Sequence, residues 1–125
     1  MKKTRVQIRV SSTEDFFARM KTLAQRLERG EEVSSGITVS FEDPQEMMRV
    51  LSSQRARLLR CVREQAMPIA ELASELSRDI RAVSRDVNML EEAGLLRSSY
   101  QTNPGHGRLR IVEPVAQEYL LQATL

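Results

Sequence analysis

The sequence is poor in the side chains that build metal sites, disulfides and aromatic cores. Its 125 residues include one cysteine, one histidine, two tyrosines, three phenylalanines and no tryptophan. A lone cysteine cannot form an intramolecular disulfide, and Cys61 and His106 alone are too few ligands for a zinc site. We therefore expect no metal, no cofactor and a reducing, cytoplasmic environment. Cys61 is expected to pack as a small hydrophobe within a helix.

Long apolar runs and catalytic motifs are missing as well. No stretch approaches the roughly 18 consecutive apolar residues that span a bilayer, and the first residues lack the apolar centre of a signal peptide. The acidic side chains are spread along the chain, and no nucleophile or metal-binding motif accompanies the single histidine. The sequence thus predicts a protein that has no membrane contact, has no catalytic residues and is not an enzyme.

Charge of one sign is also scarce, because 19 basic residues are balanced by 17 acidic ones and the net charge is +2. This balance is a weak argument for nucleic-acid binding. The basic residues are nevertheless arginines except for three lysines. Arginine is the side chain that makes bidentate contacts with phosphate and guanine. With 41% hydrophobic and 29% charged residues, the composition is that of one small helix-rich domain.

The strongest positive pattern lies between residues 67 and 96. Four apolar residues recur at intervals of three, four and three and predict the buried face of a helix: Ile80, Val83, Val87 and Leu90. Four polar residues lie on the opposite face and are named here the polar stripe: Arg81, Ser84, Arg85 and Asn88. Each of them can donate a hydrogen bond to a phosphate or a base edge. The polar stripe therefore predicts contact with nucleic acid.

A shorter helix is predicted directly before this one. Its apolar face consists of Ile69, Leu72, Ala73 and Leu76. Ser77 or Asp79 is placed to cap the second helix, and Gly94 suits the left-handed residue that ends it. Two helices joined by so short a turn have the spacing of a helix-turn-helix.

A hairpin is predicted after the second helix. Two alternating segments flank a turn-rich tip: residues 96–101 and 108–112 on either side of 102–107. Leu109 and Ile111 are expected to face the core, which leaves Arg108 and Arg110 outward. His106 in the tip is interpreted either as a contact to a DNA backbone or as a solvated loop histidine.

Three short motifs carry a resemblance to a known family. They are Phe41-Glu42-Asp43-Pro44, Ser52-Ser53-Gln54-Arg55 at a helix start and Arg78-Asp79 at the turn. With the Leu-Glu-x-x-Gly-Leu-Leu helix end and the hairpin, they make residues 37–112 similar to the MarR-like winged helix-turn-helix regulators of bacteria and archaea. The resemblance implies a recognition helix at 79–94 and a wing tip at 102–107. Some members are DNA-binding antitoxins encoded beside a toxin, which implies a cognate toxin as a further partner.

The first third of the chain predicts a strand, a helix and a strand. Residues 4–10 and 37–41 alternate as half-buried strands do, with Val6, Ile8 and Val10 on one face of the first. The helix between them is predicted to end at Gly30 and to begin with a capping box of Ser11 and Glu14 or of Ser12 and Asp15. This unit is expected either to pack on the rest of the chain or to form a dimer or partner surface. Insertion of its first strand into a DNA groove, as in ribbon-helix-helix repressors, is a further alternative.

Three more helices complete the prediction. Asp43 and Pro44 start a short helix that places Met47 and Met48 in the core. Ser52 or Ser53 caps a helix that ends near Gln65. Pro114 opens a terminal helix with an apolar face made of Val115, Tyr119, Leu120 and Ala123.

The sequence therefore predicts an α+β, mainly α protein in three parts. These are a strand-helix-strand extension at 1–43, a winged helix-turn-helix domain at 44–113 and a C-terminal helix at 114–125. The predicted function is sequence-specific regulation of transcription, as a repressor or, more narrowly, an autoregulating antitoxin. A winged helix that binds only protein is the alternative, although the polar stripe lacks the acidic and apolar residues expected of it.

The predicted partners are double-stranded DNA and a second copy of the chain. The strand with Val6, Ile8 and Val10 or the C-terminal helix is expected to make the homodimer contact. Arg81 and Arg85 are expected to read the major groove, whereas Arg78, Arg108 and Arg110 are expected to hold phosphates. The complete set of predicted DNA contacts is Arg78, Arg81, Ser84, Arg85, Asn88, His106, Arg108 and Arg110.

Overall fold

The computed structural model describes residues 4–31 and 36–122. Within these ranges the chain is α+β, as predicted, with five helices and six strands. The first three elements confirm the predicted strand, helix and strand: β1 Arg5–Val10, α1 Thr13–Glu28 and β2 Gly36–Phe41. Ser12 caps α1 by accepting a hydrogen bond from the Asp15 amide, and Gly30, at φ +77°, follows its end.

β1 is the central strand of a parallel sheet, named sheet A. It pairs with β2 along one edge and with the last strand, β6 Glu118–Gln122, along the other. In this register Ile8 aligns with both Val39 and Leu121. Because both edges of β1 are paired within the chain, β1 has no free edge to offer to another protein.

The predicted C-terminal helix is wrong for the described residues. Residues 118–122 are extended and pair with β1, so that Tyr119 aligns with Val6. The spacing of Val115, Tyr119 and Leu120 fits one face of a helix, but so short a segment fits a strand equally well. Pairing with β1 decides between the two. Ala123, the last residue of the predicted face, lies outside the described residues.

Four helices follow β2 along the chain: α2 Pro44–Val50, α3 Ser53–Glu64, α4 Ile69–Leu76 and α5 Ile80–Glu92. The side chains of Asp43, Ser52 and Asp79 cap α2, α3 and α5 by accepting backbone hydrogen bonds. Ser77 instead ends α4, in the left-handed conformation at φ 51°. The predicted helix starts are thus confirmed, and of the two candidates for the α5 cap the chain uses Asp79.

The predicted hairpin is present and is part of a second sheet, named sheet B. Its strands are β4 Leu96–Asn103 and β5 Gly107–Pro114, and the short β3 Met67–Pro68 pairs with the other edge of β5. Both pairings are antiparallel. The hairpin strands are longer than predicted, which shortens the tip to residues 104–106.

The side chains of β5 alternate in the opposite sense to the prediction. Val112 aligns with Met67 and is fully buried in the core. Because neighbouring side chains of a strand point to opposite faces, Arg110 shares the inner face with Val112, and Leu109 and Ile111 lie on the outer face. The expectation that Leu109 and Ile111 face the core and that Arg110 faces outward is therefore wrong. A short alternation of arginines and aliphatic residues fits both senses, and pairing with β3 selects one.

One core joins sheet A to the helices. Val6 and Ile8 are fully buried in the same cluster as Leu58, Leu72 and Leu90. The apolar face of β1 is thus used within the chain rather than in a dimer contact. Two residues predicted to be buried are not: Met48 is 62% exposed and Ile80 is 44% exposed.

α1 lies on the other face of sheet A. Its Arg19 Nη2 donates to Ser11 Oγ at 2.8 Å and to Ser40 Oγ at 3.4 Å. Ser40 aligns with Arg9 and therefore faces away from the core that holds Ile8. Sheet A therefore lies between α1 on one face and the core with the remaining helices on the other. Among residues 4–31 and 36–122, every helix lacks the length and apolar character of a membrane span.

Candidate nucleic-acid interface

α5 presents the polar stripe as predicted. Val83, Val87 and Leu90 are fully buried, which turns the opposite side of the helix away from the core. Arg81, Arg85 and Asn88 are exposed and Ser84 is partly exposed. Sequence periodicity alone was sufficient to identify this surface.

Asp86 is a buried acid on the core side of α5. It is only 7% exposed and accepts from two arginines, Arg55 Nη1 at 3.0 Å and Arg78 Nη1 at 2.7 Å. Two cations on one carboxylate satisfy its charge and its hydrogen-bonding capacity. The side chain of Arg78 is 20% exposed and is directed at Asp86. Arg78, a predicted DNA contact, is therefore mostly buried and paired with an acid of the protein itself.

Arg55 extends this cluster to α2. Its Nε donates to the Val50 carbonyl at 2.6 Å, and its Nη2 donates to the Arg49 carbonyl. These are carbonyls of the last turn of α2, where a cation also interacts favourably with the helix dipole. Arg55 and Asp86 together connect α2, α3 and α5.

Arg110 connects the hairpin to α5. Its Nη2 donates to Asn88 Oδ1 at 2.9 Å and pairs with Glu91 Oε2 at 3.1 Å, and its Nε donates to Ser98 Oγ at 3.0 Å. The side chain is only 18% exposed. Arg110 and Asn88, two predicted DNA contacts, are thus in direct contact with each other. Arg110 thereby links β5 to α5.

Arg108 is exposed and lies two residues closer to the hairpin tip than Arg110. Its guanidinium stacks over the ring of Tyr100, 4.9 Å from the ring centroid, in a cation–π contact. By strand alternation Arg108 lies on the face of β5 that also carries Arg110 and looks toward α5. His106 lies at the exposed tip. The hairpin therefore continues the surface of α5 through Asn88 and Arg110 to Arg108.

The arginines of this surface fall into two groups. Among the described residues, Arg81, Arg85 and Arg108 pair with no acidic side chain, whereas Arg55, Arg78 and Arg110 each do. Arg81 and Arg85 are exposed on consecutive turns of α5, and Arg108 is exposed on the adjoining hairpin. The first group can bind an external anion without first breaking an internal ion pair.

Asp86 and Tyr100 were not predicted to matter here, and Arg55 was identified only as part of a motif at the start of a helix. The signal for Asp86 was present, because it lies three residues after Val83 and four before Leu90 and so falls on the apolar face. An acid at such a position needs a cationic partner. No sequence pattern identified Arg55 as that partner, since the two residues are 31 positions apart.

Sheet A supports the end of α5. The Tyr119 hydroxyl of β6 donates to the Leu95 carbonyl at 2.6 Å and accepts from the Val115 amide at 3.1 Å. Burial raises the pKa of this hydroxyl, in spite of the opposing effect of the Val115 hydrogen bond. A Cβ atom placed on Gly94 would lie 4.0 Å from Cγ2 of Val39 in β2. Sheet A and the junction between α5 and β4 therefore form one packed unit.

Two titratable groups outside this surface have shifted pKa values. The Ser99 hydroxyl, and after it Arg97, donates to Glu113 and holds the pKa of that carboxyl below its usual value. Burial, with Glu75 adding to it, raises the pKa of the Cys61 thiol. Cys61 is partly buried and packs against the core, which confirms the prediction that it packs as a small hydrophobe. Across 4–31 and 36–122, no three His, Cys, Asp or Glu side chains are grouped so that they could hold a metal ion.

The sequence is similar to one protein family over these same elements. The family model described as HVO_A0114 matches residues 50–112, which include α3, α4, α5 and most of sheet B. A solved structure named "Possible transcriptional regulator", from Methanosarcina mazei Go1, is similar over 54% of this chain, with 19% identity and a TM-score of 0.45. The chain spans 64% of that structure's length. No curated protein matches the sequence. Because the family model covers half of the chain, the chain belongs to the HVO_A0114 family.

Proposed function

We propose that the protein is a winged helix-turn-helix regulator that binds double-stranded DNA in a sequence-specific manner. The observation that carries the proposal is the set of exposed arginines without acidic partners on α5 and the adjoining hairpin: Arg81, Arg85 and Arg108. α4 and α5 supply the helix-turn-helix, and β4 and β5 supply the wing. The role proposed is binding and not catalysis.

In this proposal α5 enters the major groove. Arg81 and Arg85 lie four residues apart on its exposed side, and a bidentate arginine–guanine contact discriminates between bases by about 1–3 kcal/mol. Ser84 lies between them and can donate to a base or a phosphate. Asn88 has its amide oxygen engaged by Arg110, which leaves the amide nitrogen as the donor it can present.

The wing supplies the phosphate contact. Arg108 is exposed and is held by Tyr100 rather than by a carboxylate, so it can neutralise a backbone phosphate. Arg78 and Arg110, expected from the sequence to do the same, are engaged by Asp86 and Glu91. We assign them to positioning α5 and the wing. His106 at the wing tip is within the same exposed segment and is a second candidate for a backbone contact.

The proposed regulator acts in the cytoplasm as a homodimeric repressor on an inverted repeat. One helix covers too few base pairs to select a site among the roughly 10⁶ competing positions of a small genome, and two-fold symmetry doubles the site. The half-sites are then centred about 10–10.5 base pairs apart, or a multiple of that. The antitoxin role follows from the family resemblance alone, and a toxin-like reading frame beside the gene would be its first test.

Fluorescence anisotropy with duplex DNA from upstream of the protein's own gene tests the proposal. We expect tighter binding to this duplex than to a shuffled duplex of equal composition, and a nuclease footprint with two-fold symmetry. Equal, weak binding to both duplexes at low salt, with no footprint, would contradict sequence-specific regulation at this promoter.

A further inference from the structure

α1 carries an apolar stripe that the rest of the described chain leaves uncovered. None of the residues of α1, all of them described, is buried. Phe17 is 64% exposed, Leu27 57% and Met20 39%. With Ala24, and with Thr13 at the N-terminal end, where its hydroxyl donates to Glu42 at 3.0 Å, these residues have the alternating four-three spacing of a coiled-coil seam. We name this set the α1 seam: Thr13, Phe17, Met20, Ala24 and Leu27.

The side of α1 that meets sheet A is a different one. Phe16, Arg19 and Leu23 are its partly buried residues, and they lie about a quarter-turn from the seam. Arg19 adds polar contacts on this side, because its guanidinium donates to the hydroxyls of Ser11 and Ser40. Arg19 Nε is buried and has no hydrogen-bond partner among the described residues. The exposed side chains of Phe17, Met20 and Leu27 therefore lie outside the contact with sheet A.

We propose that the α1 seam is the homodimer contact and that it packs antiparallel on the seam of a second copy. This inference rests on the proposed function for its role, since it names the partner surface of the dimeric regulator. In the pairing Phe17 meets Met20 of the other copy, and Thr13 meets Ala24, each twice by symmetry. The same surface thus complements itself.

Charge complementarity selects this pairing. Glu14 and Lys21 flank the seam on its solvent side, and neither pairs with an opposite charge within the described chain. In the antiparallel register given above, Glu14 of each copy lies near Lys21 of the other. A shift by one heptad would instead place Lys21 against Lys21 and Glu14 against Glu28, which is repulsive. A parallel pair would place Lys21 beside Phe16 of the other copy, where no opposite charge compensates it, and would give Glu14 no partner in the other helix.

The seam is connected to the proposed reading surface through sheet A. α1 lies on sheet A, and sheet A is fixed to the end of α5 through Tyr119 and Leu95 and through Val39 beside Gly94. Pairing of two α1 helices therefore sets the separation and two-fold relation of two α5 helices. This gives α1, which lies outside the part of the chain that matches the family model, a defined task in DNA recognition.

Sedimentation velocity on the full chain, without DNA, tests the seam. We expect Phe17→Glu to weaken the dimer at least about tenfold, because the substitution buries an unpaired charge in the contact. Thr22→Glu is the matched control, since it adds the same charge on the opposite side of α1 and should leave the dimer unchanged. Circular dichroism should show both variants folded, because both positions are exposed.

A charge exchange tests the register. Glu14→Lys and Lys21→Glu should each weaken the dimer roughly threefold to tenfold, because two attractive surface pairs become repulsive. The double variant should restore it. The two residues are seven positions apart, so the exchange creates no pair between neighbouring turns of one helix. In the shifted register Glu14→Lys would instead tighten the dimer, by removing the repulsion from Glu28.

The outcomes separate this inference from the proposed function. Any of three results would overturn the inference. They are a wild-type protein that stays monomeric, a dimer whose affinity Phe17→Glu does not change, and a dimer that Glu14→Lys makes tighter. DNA binding is measured separately, with random-sequence duplex, on the monomeric Phe17→Glu protein. We expect weak binding to persist there, since α5 and the wing are intact. A wild-type dimer that fails to bind any duplex would contradict the proposed DNA binding but not the proposed dimer contact.

Discussion

Arg110 of β5 donates a hydrogen bond to Asn88 of α5, with 2.9 Å between Nη2 and Oδ1. The same guanidinium pairs with Glu91 one turn farther along the helix. A planar guanidinium that binds two side chains of one helix fixes both the position and the tilt of the strand that carries it. These contacts hold the hairpin, with its exposed Arg108, beside the helix that carries Arg81 and Arg85.

Substitution of the arginines on the polar stripe tests the reading role of α5. Arg81→Ala and Arg85→Ala should each lower the affinity for the upstream duplex at least tenfold, since each removes a proposed base contact worth about 1–3 kcal/mol. The midpoint of thermal unfolding should not change, because both side chains are exposed. Arg29→Ala is the matched control, as it removes an exposed arginine on the far side of sheet A. An unaltered affinity in the Arg81→Ala, Arg85→Ala double variant would show that α5 does not read DNA.

Loss of Arg108 should weaken binding without changing sequence preference. Arg108→Ala removes one proposed phosphate contact, so the slope of log affinity against log salt should become shallower by roughly 0.9. Titrations at several salt concentrations, with upstream and shuffled duplexes, measure both quantities. Tyr100→Leu serves as the companion variant, since it keeps the charge and removes the stacking partner. A changed sequence preference with an unchanged salt slope would assign Arg108 to base reading instead.

Removal of Asp86 should destabilise the fold. Asp86→Ala leaves the guanidinium groups of Arg55 and Arg78 near each other without their shared carboxylate, and breaking a buried ion pair on one side costs about 3–5 kcal/mol. Urea unfolding followed by circular dichroism gives the loss in the free energy of unfolding. Glu64→Ala is the control, because its pair with Arg63 is exposed and should contribute less than about 1 kcal/mol. Equal effects of the two substitutions would mean that Asp86 has no special structural role.

Features determined by neighbours in sequence were predicted well. Asp43, Ser52 and Asp79 cap their helices because each side chain reaches a backbone amide two or three residues ahead. The polar stripe also follows from local periodicity, since Val83, Val87 and Leu90 face the core. Such features depend on a few consecutive residues and can be recognised in the sequence.

Features determined by distant pairing were not predicted. Residues 118–122 became a strand because β1 lies 113 positions earlier and accepts them along its edge. The inner face of β5 was set by the alignment of Met67 with Val112, which turned Arg110 toward α5. In both cases the local pattern admitted two conformations, and the choice came from a strand far away in sequence.

The hydroxyl of Tyr119 provides a test of β6 and of its contact with Leu95, which follows α5. Tyr119→Phe keeps the ring and removes the hydrogen bonds to the Leu95 carbonyl and the Val115 amide, so the free energy of unfolding should fall by about 1 kcal/mol near neutral pH. Because burial raises the pKa of Tyr119, the unfolded chain loses its phenolic proton at lower pH than the folded chain. The contribution of Tyr119 is therefore complete below about pH 10 and declines as the pH rises toward the folded pKa. Urea unfolding of both proteins between about pH 8 and pH 11 should show the wild-type advantage shrinking across this range. A constant difference, or none at all, would mean that Tyr119 is not docked on Leu95 and that residues 118–122 do not complete sheet A.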